Sequence, residues 1–178
     1  ETRRLDRIVN QIIDYARPRD LMPTTWTVDG IVDEVLKLLD TRLETQRITV
    51  VRSSQPDLTA YADRDQIKQV LLNLCHNSLD AMKQEGELRI AAGDGARASH
   101  AGVFIEISDT GSGIAQKDLA QVFQPFFTTG KQHGTGLGLA ICRNIAEAHG
   151  GRLSASSDGR NGALFQFVLP ARNATVGK

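Results

Sequence analysis

Two asparagines lie four residues apart in the segment 65-DQIKQVLLNLCHNSLDAM-82. Apolar residues recur there at spacings of three and four, which predicts a helix with one buried and one polar face. Side chains four apart on a helix are neighbours, so Asn73 and Asn77 should present two amide oxygens side by side. Such oxygens suit Mg²⁺, which takes one or two protein ligands beside substrate phosphates. A solvated polar face explains the segment equally well.

Three glycines precede a second helical pattern in 134-GTGLGLAICRNIAEA-148. They leave backbone N–H groups unobstructed where the helix begins. A helix start combines unpaired N–H donors with the positive end of the dipole, which suits a phosphate. The segment is not a Walker A motif, because no Gly-Lys-Ser/Thr follows at the required spacing. It is not a dinucleotide fingerprint either, because the glycines do not follow a strand.

A strand pattern ends on an aspartate in 103-VFIEISDTGSGI-114. Asp109 could accept a hydrogen bond from an exocyclic amine, and Gly111 and Gly113 could let a flat ring lie against the backbone. A glycine turn between a strand and a helix is the alternative interpretation of this short segment.

Three phenylalanines, Phe123, Phe126 and Phe127, stand close together in 122-VFQPFFTTGKQ-132. A Thr-Thr-Gly-Lys tract follows them. Because long connections without regular structure are often functional, the aromatic residues are predicted to anchor a mobile lid whose polar tip contacts a ligand. The simpler alternative is a hydrophobic plug beneath a loop.

The surrounding elements must bring these segments together. Strand patterns arrive in pairs between helices, which predicts an α+β two-layer sandwich: a mixed sheet of about five strands with three helices on one face, preceded by one N-terminal helix. The predicted helices are 28–44, 63–85, 115–123 and 137–149, and the predicted strands are 48–52, 58–62, 88–92, 103–108, 152–156 and 164–169.

The charge balance excludes some classes of protein. The 21 Lys and Arg residues equal the 21 Asp and Glu residues, so nucleic acid or direct contact with a membrane is not expected. No apolar run reaches the roughly 20 residues that a membrane span needs. Cys75 and Cys142 lie inside helical patterns and are expected to be small core residues of a reducing compartment, which indicates a cytoplasmic location.

From about Asp63 to Pro170 the chain resembles the catalytic ATP-binding domain of bacterial sensor histidine kinases, which has the Bergerat ATP-binding fold. NLCHNSLDAM resembles the N box, DTGSGI the first glycine box, VFQPFFTTG the F box and GTGLGLAI the second glycine box, all in family order. The PFFTT and GTGLGLAI sequences resemble those of the nitrogen-regulation and oxygen-sensing branch. LDRIVNQIIDYARP resembles the second helix of the dimerisation and phosphotransfer hairpin.

The resemblance implies domain limits: a truncated hairpin helix over 1–18, a linker over 19–27, the catalytic domain over 28–171 and a tail over 172–178. It also implies a role for each motif. Asn77 would bind the Mg²⁺ of ATP with Asn73 beside it, and Asp109 would accept the adenine amine. The backbone of 135–138 would bind phosphate and the lid would meet the outer phosphates. The implied nucleotide-binding residues are Asn73, Asn77, Asp109, Gly111, Gly113, Ile114, Thr135, Gly136, Leu137, Gly138 and Leu139, with Phe123 and Phe167 as further candidates for the adenine wall; the implied lid residues are Phe123, Phe126, Phe127, Thr128, Thr129, Lys131 and His133.

The chain departs from the family pattern at three places. Gly130 occupies the position where the F box commonly has lysine, which shifts the catalytic role of Lys131 by one residue. Ala163 stands where a threonine often helps to bind adenine through water. The four histidines, His76, His100, His133 and His149, are followed by Asn, Ala, Gly and Gly rather than by the acidic residue that follows a phosphoacceptor histidine. The acceptor is therefore expected upstream of Glu1, and His76 is interpreted as a helix-face residue.

Together these features predict a protein-histidine kinase domain that uses ATP and Mg²⁺. The γ-phosphoryl group would pass to a histidine of the parent protein, a homodimer through its helical hairpin, and then to the receiver domain of a response regulator. Another Bergerat-fold ATPase or serine kinase, and a nucleotide-binding module without catalysis, are the alternatives.

Overall fold

The computed structural model describes residues 20–95, 102–128 and 135–171. The N-terminal helix predicted over 1–18, the tail over 172–178 and the tip of the predicted lid lie outside these ranges. The domain limits inferred from the resemblance therefore stay a prediction.

Seven strands and four helices make up the described residues. In chain order they are β1 Thr24–Thr27, α1 Val28–Gln46, β2 Ile48–Ser54, β3 Thr59–Ala62, α2 Arg64–Met82, β4 Gly86–Asp94, β5 Gly102–Asp109, α3 Gln116–Leu119, α4 Gly138–Ala148, β6 Arg152–Ser156 and β7 Leu164–Pro170. None of these helices has an apolar stretch long enough to cross a membrane.

The main sheet has five strands in the order β2-β4-β5-β7-β6. Strands β2 and β4 are parallel, and the other neighbouring pairs are antiparallel. The prediction of a mixed five-stranded sheet is therefore confirmed. Along β5, Ile105 and Ile107 are each 1 % exposed and lie on the face towards the helices. Because strand residues two apart share a face, Asp109 arrives on that same side where β5 ends.

The three long helices form the second layer, as predicted. Helix α2 lies between α1 and α4 and also contacts β4 and β5. Its apolar stripe is buried, and its polar side chains follow the opposite side as the spacing predicts. The residues that α2 buries are Ile67, Val70, Leu71, Leu74, Cys75, Ser78, Leu79 and Met82.

Two predicted elements need correction. The predicted linker 19–27 contains strand β1, which pairs antiparallel with β3. Trp26 holds it in place, because its ring is buried and its Nε1–H donates to the carbonyl of Ala62. The helix predicted over 115–123 is only the four-residue α3, followed by turns in which Gln121 N bonds Asp118 O and Gln124 N bonds Gln121 O. The spacing of apolar residues fits such successive turns as well as it fits a helix.

Asp63 closes the start of α2. Its carboxylate accepts hydrogen bonds from the backbone N–H groups of Asp65, Gln66 and Met22, so it ties the segment before β1 to the asparagine-bearing helix. Burial alone would raise the pKa of this carboxyl, but the three hydrogen bonds outweigh burial and lower the pKa below its usual 3.8.

Replacing Asp63 with alanine should lower the free energy of unfolding at pH 7 by about 1–2 kcal/mol, the usual effect of losing an N-cap. Because the folded-state pKa is lowered, the charged carboxylate stabilises the fold above the unfolded pKa and ceases to do so as pH falls through the folded one. Urea unfolding of the parent and the variant at several pH values should therefore show a difference that narrows below about pH 4. Asp65→Ala, with an 87 % exposed side chain, is the control. A loss of equal size at every pH would contradict the role of the charge.

Candidate functional site

Helices α2 and α4 run antiparallel, which brings the asparagine helix to the glycine-rich helix start. At one end, a Cβ on Gly138 would lie 3.9 Å from Asn73 Cγ. At the other end, the backbone N–H of Asp63 donates to His149 Nε2 at 3.1 Å. The two segments that the sequence assigned to metal and phosphate therefore face each other.

A buried thiol joins these helices near their middle. Cys142 Sγ lies 3.8 Å from the carbonyl oxygen of Val70. Burial raises the pKa of Cys142 to about 12, opposed by a hydrogen bond from the Asn73 side chain. Burial likewise raises the pKa of Cys75 to about 12. Both cysteines are thus unreactive core residues, and Asn73 takes part in helix packing as well as facing the site.

The start of α4 retains donors for an anion. No side chain caps the helix start in the described part of the chain. The hydroxyl of Thr135 accepts from the backbone N–H of Leu137 at 3.3 Å, so one of the predicted phosphate donors already has a partner. At Gly138 the space is open towards Asn73, with no other heavy atom of the described residues within 4 Å of an added Cβ. Backbone groups at this end can therefore approach a phosphate.

Asp109 places a carboxylate at the helix-facing edge of the sheet. The residue is 7 % exposed, and its Oδ1 accepts from the N–H of Gly111 at 2.9 Å. Its own N–H donates to the carbonyl of Ala163 at 3.0 Å. The first hydrogen bond holds the carboxylate of Asp109 in place, and the second holds its main chain. A carboxylate accepts hydrogen bonds, as binding an exocyclic amine requires.

The glycines after Asp109 allow close packing of protein against protein. A Cβ on Gly111 would lie 2.8 Å from Ala81 Cβ on α2, and a Cβ on Gly113 would lie 2.9 Å from Ser157 Oγ. The hydroxyl of Ser157 also accepts from the N–H of Ile114. The sequence assigned these glycines to the approach of a flat ring. The described contacts give them a packing role as well, and the approach of a ring stays a prediction.

The predicted aromatic anchor is only partly present. Phe123 packs against the core, Phe127 is half-buried and Thr128 is exposed. Phe126, in contrast, is 67 % exposed, which corrects the prediction that its ring anchors the lid. Its backbone performs that function, because Phe126 N–H donates to the carbonyl of Gly136 at 3.0 Å. A Cβ on Gly136, whose φ is 70°, would overlap the backbone of Phe126, so only glycine fits there.

The tip of the predicted lid lies outside the described residues. It comprises Thr129, Gly130, Lys131, Gln132, His133 and Gly134. Of the candidates for the adenine wall, Ile114 and Leu139 are partly buried against the core, whereas Phe167 is fully buried within it. Phe167 is therefore a core residue rather than a wall, because β7 turns it towards Ile105 and Leu153.

A contact that the sequence did not reveal lies beside Asn77. Arg42 of α1 places its guanidinium 3.0 Å from His76 Nδ1 and 2.5 Å from the carboxylate of Asp80. His76 is exposed and lies on the helix face, as predicted. Because Arg42 is 34 residues away in the sequence, helical spacing alone gave no signal for this cluster.

A polar cleft of about 580 Å³ borders Asp109 on its other side. Its lining comes from β4, β5 and the β6–β7 turn, including Ala163, and none of it from α2 or α4. This cleft does not coincide with the site predicted between the two helices.

Comparison with known proteins assigns the family. Residues 62–173 match the family described as "Histidine kinase-, DNA gyrase B-, and HSP90-like ATPase". The sensor histidine kinase ZraS of Klebsiella oxytoca is 37 % identical over 174 residues, covering 96 % of this chain. The chain spans 36 % of the length of that relative.

Solved structures give the same result. Histidine kinase ThkA, in complex with response regulator protein TrrA, superposes with a TM-score of 0.80 at 32 % identity over 95 % of this chain and 48 % of that one. Full-length ShkA in complex with AMPPNP has a TM-score of 0.82 at 26 % identity, over 93 % of this chain and 35 % of that one. The chain belongs to the family of histidine kinase-, DNA gyrase B- and HSP90-like ATPases, and its ATP-binding domain is of the sensor histidine kinase type.

Proposed function

We propose that this domain binds Mg-ATP and transfers the γ-phosphoryl group to a histidine. The observation that carries the proposal is the meeting of α2 and α4, where Asn73 lies 3.9 Å from the Cβ position of Gly138. The amide oxygens of α2, which could bind a metal, therefore lie opposite the uncapped N–H groups at the start of α4, which could bind phosphates. Asp109 lies at the edge of the sheet, where it could bind the base. The related ShkA was solved in complex with AMPPNP, which supports a nucleotide as the ligand of this domain.

Mg²⁺ is a hard cation, and the residues around the helix start suit its usual mode of binding. Asn77 would supply one amide oxygen, and nucleotide phosphates and water would supply the other ligands. When bound, the ion neutralises charge that develops on the phosphates. Asn77 then orients the phosphate chain, the start of α4 holds its oxygens, and Lys131 would meet the outer phosphates.

In the transfer step, the bond between the γ-phosphorus and its bridging oxygen breaks. A bond from phosphorus to an imidazole nitrogen forms, and the imidazole proton leaves. None of the four histidines of this chain is followed by an acidic residue that could take this proton. In His149, both ring nitrogens are engaged, with the N–H of Asp63 and the carbonyl of Ile145. We therefore place the acceptor histidine outside this sequence.

A response regulator is the proposed recipient of the phosphoryl group. The complex of the related ThkA with TrrA supports such a partner. The predicted hairpin helix over 1–18 would make the parent protein a homodimer. The even charge balance gives no reason to add nucleic acid or a membrane as a direct partner of this domain.

The chain is expected to bind ATP more tightly with Mg²⁺ than with EDTA and to leave itself unphosphorylated. Titration calorimetry measures the first property. The second is measured by incubating the chain with γ-labelled ATP and testing any protein-bound label for loss in acid. If ATP fails to bind, the proposed function is wrong. Acid-labile phosphohistidine on the chain would contradict the external acceptor, and acid-stable label on serine would favour the serine kinase alternative.

A further inference from the structure

An arginine of α1 crosses to the polar face of α2. The guanidinium of Arg42 lies 3.0 Å from His76 Nδ1 and 2.5 Å from Asp80 Oδ1. Its Nε donates to Gln46 Oε1 at 3.2 Å, and Gln46 donates in turn to the carbonyl of Lys83 just after α2. Every nitrogen of the Arg42 side chain therefore has a partner, and the guanidinium is held in one place beside α2.

The carboxylate that Arg42 binds lies close to the asparagines proposed for the metal. Asp80 follows Asn77 by three residues and Asn73 by seven, and these spacings place all three side chains on one face of a helix. Helix α2 lies between α1 and α4. Asn73 faces the start of α4, whereas the Asp80 carboxylate is turned towards α1 by its bond to Arg42. The carboxylate thus lies on the side of α2 opposite the proposed phosphate-binding backbone.

An uncompensated carboxylate on this face would oppose the binding of a nucleotide. The triphosphate is strongly anionic, and charges near a protein surface act over roughly 10 Å at about 0.1 M salt. The guanidinium of Arg42 supplies a positive charge in direct contact with Asp80 and fixes the position of its carboxylate. Removing Arg42 should therefore weaken ATP binding. The effect should be larger without Mg²⁺, because the ion neutralises part of the phosphate charge.

Resting on the proposed function, we infer that Arg42 is a positioning residue for nucleotide binding. It holds the Asp80 carboxylate on the α1 side of α2 and cancels its charge. The phosphates then meet the amide oxygens of α2 without an opposing anion beside them. In this role Arg42 acts through Asp80 and contacts neither the metal nor the nucleotide.

The test compares Arg42→Ala with Arg64→Ala in the whole chain, by titration calorimetry with ATP in Mg²⁺ and in EDTA. Arg64 is the matched control, because it joins the same two helices through Glu34, and both arginine side chains are 33 % exposed. Arg42→Ala should lower ATP affinity about three- to tenfold in EDTA at low salt, and less in Mg²⁺. The ratio of affinity with Mg²⁺ to that with EDTA should therefore rise, whereas the loss of a metal ligand would lower it. Arg64→Ala should leave both affinities unchanged.

Three further measurements separate the charge of Asp80 from a change in packing. Combining Arg42→Ala with Asp80→Asn should restore the affinity of the parent, because the opposing carboxylate is then absent. Arg42→Lys should lose little affinity, because lysine retains the positive charge. The loss in Arg42→Ala should also shrink at about 1 M NaCl, where charges are screened within roughly 3 Å.

The outcomes separate this inference from the proposed function. If the parent chain fails to bind ATP, both are wrong. If the parent binds ATP and Arg42→Ala binds it equally well in EDTA, or if Arg64→Ala reproduces the loss, only the role of Arg42 is overturned. The role is also overturned if the loss persists in the double variant, in Arg42→Lys or at high salt, because each result would indicate packing rather than charge.

Discussion

Replacing Asn77 with alanine should abolish most of the Mg²⁺ dependence of ATP binding. The ratio of ATP affinity with Mg²⁺ to that with EDTA should fall by at least about 10- to 100-fold, since even indirect support of a metal commonly has effects of that size. The physical reason is that Mg²⁺ takes few protein ligands, so the loss of one amide oxygen leaves the ion held almost by nucleotide alone. Alanine is a better helix former than asparagine, so α2 should persist.

Gln69→Ala is the matched control for Asn77→Ala. Gln69 lies on the same helix eight residues earlier, carries the same amide group and is also half-buried. Its replacement should leave the affinity ratio near that of the parent. Titration calorimetry of the three proteins, with and without Mg²⁺, measures the effect. An Asn77→Ala protein that retains the full Mg²⁺ dependence would show that the metal binds elsewhere.

Elements that depend on local patterns could be predicted from this sequence. The alternation of β5 ends on Asp109, and the three- and four-residue spacing of α2 separates its asparagines from the buried stripe. The helix after the glycines also begins within one residue of its predicted start. These features are fixed by neighbours within one strand or one helix, so the sequence carries the signal directly.

Features that depend on distant contacts could not be predicted in the same way. Strand β1 is stabilised by the hydrogen bond that Trp26 Nε1–H donates to the carbonyl of Ala62, 36 residues away. The exposure of Phe126 follows from a backbone bond to Gly136 across the loop. Neither partner can be identified from the spacing of residues in the sequence.

Several glycines of the motifs have packing roles that the motifs alone do not reveal. The sequence identified the glycine boxes, and contacts with Ala81 and Phe126 also require glycine at positions 111 and 136, while the nucleotide roles of these glycines stay a prediction. The loop after β5 packs closely against α2 at Gly111, and the chain before α4 packs closely against Phe126 at Gly136. These contacts keep the segments of the site in position. Of the glycines assigned to the nucleotide in the described residues, Gly138 is the one that faces open space beside Asn73.

Replacing Asp109 with asparagine should shift the nucleotide preference from ADP towards IDP while preserving the fold. Gly111 N–H already takes one side-chain oxygen of residue 109 at 2.9 Å. Asparagine has a single oxygen, so keeping that bond turns its NH₂ group towards the base. The asparagine NH₂ group would then face the N6 amine of ADP, and both are donors. The O6 atom of IDP is an acceptor and could accept a hydrogen bond from the same NH₂ group. ADP affinity should fall about 10- to 100-fold, the effect of losing a hydrogen bond to a charged group, and the ratio of IDP to ADP affinity should rise.

The control for Asp109→Asn must change a carboxylate without changing the pocket. Asp94 is exposed at the opposite end of the β4–β5 pair, where it lies across from Val103, while Asp109 lies across from Leu88. Asp94→Asn removes the same charge from the same pair of strands and should leave both affinities unchanged. If Asp109→Asn lowered ADP and IDP affinity equally, charge rather than hydrogen-bond direction would be responsible. If neither affinity changed, Asp109 would not contact the base, and the nucleotide would have to bind with its base away from this edge of the sheet.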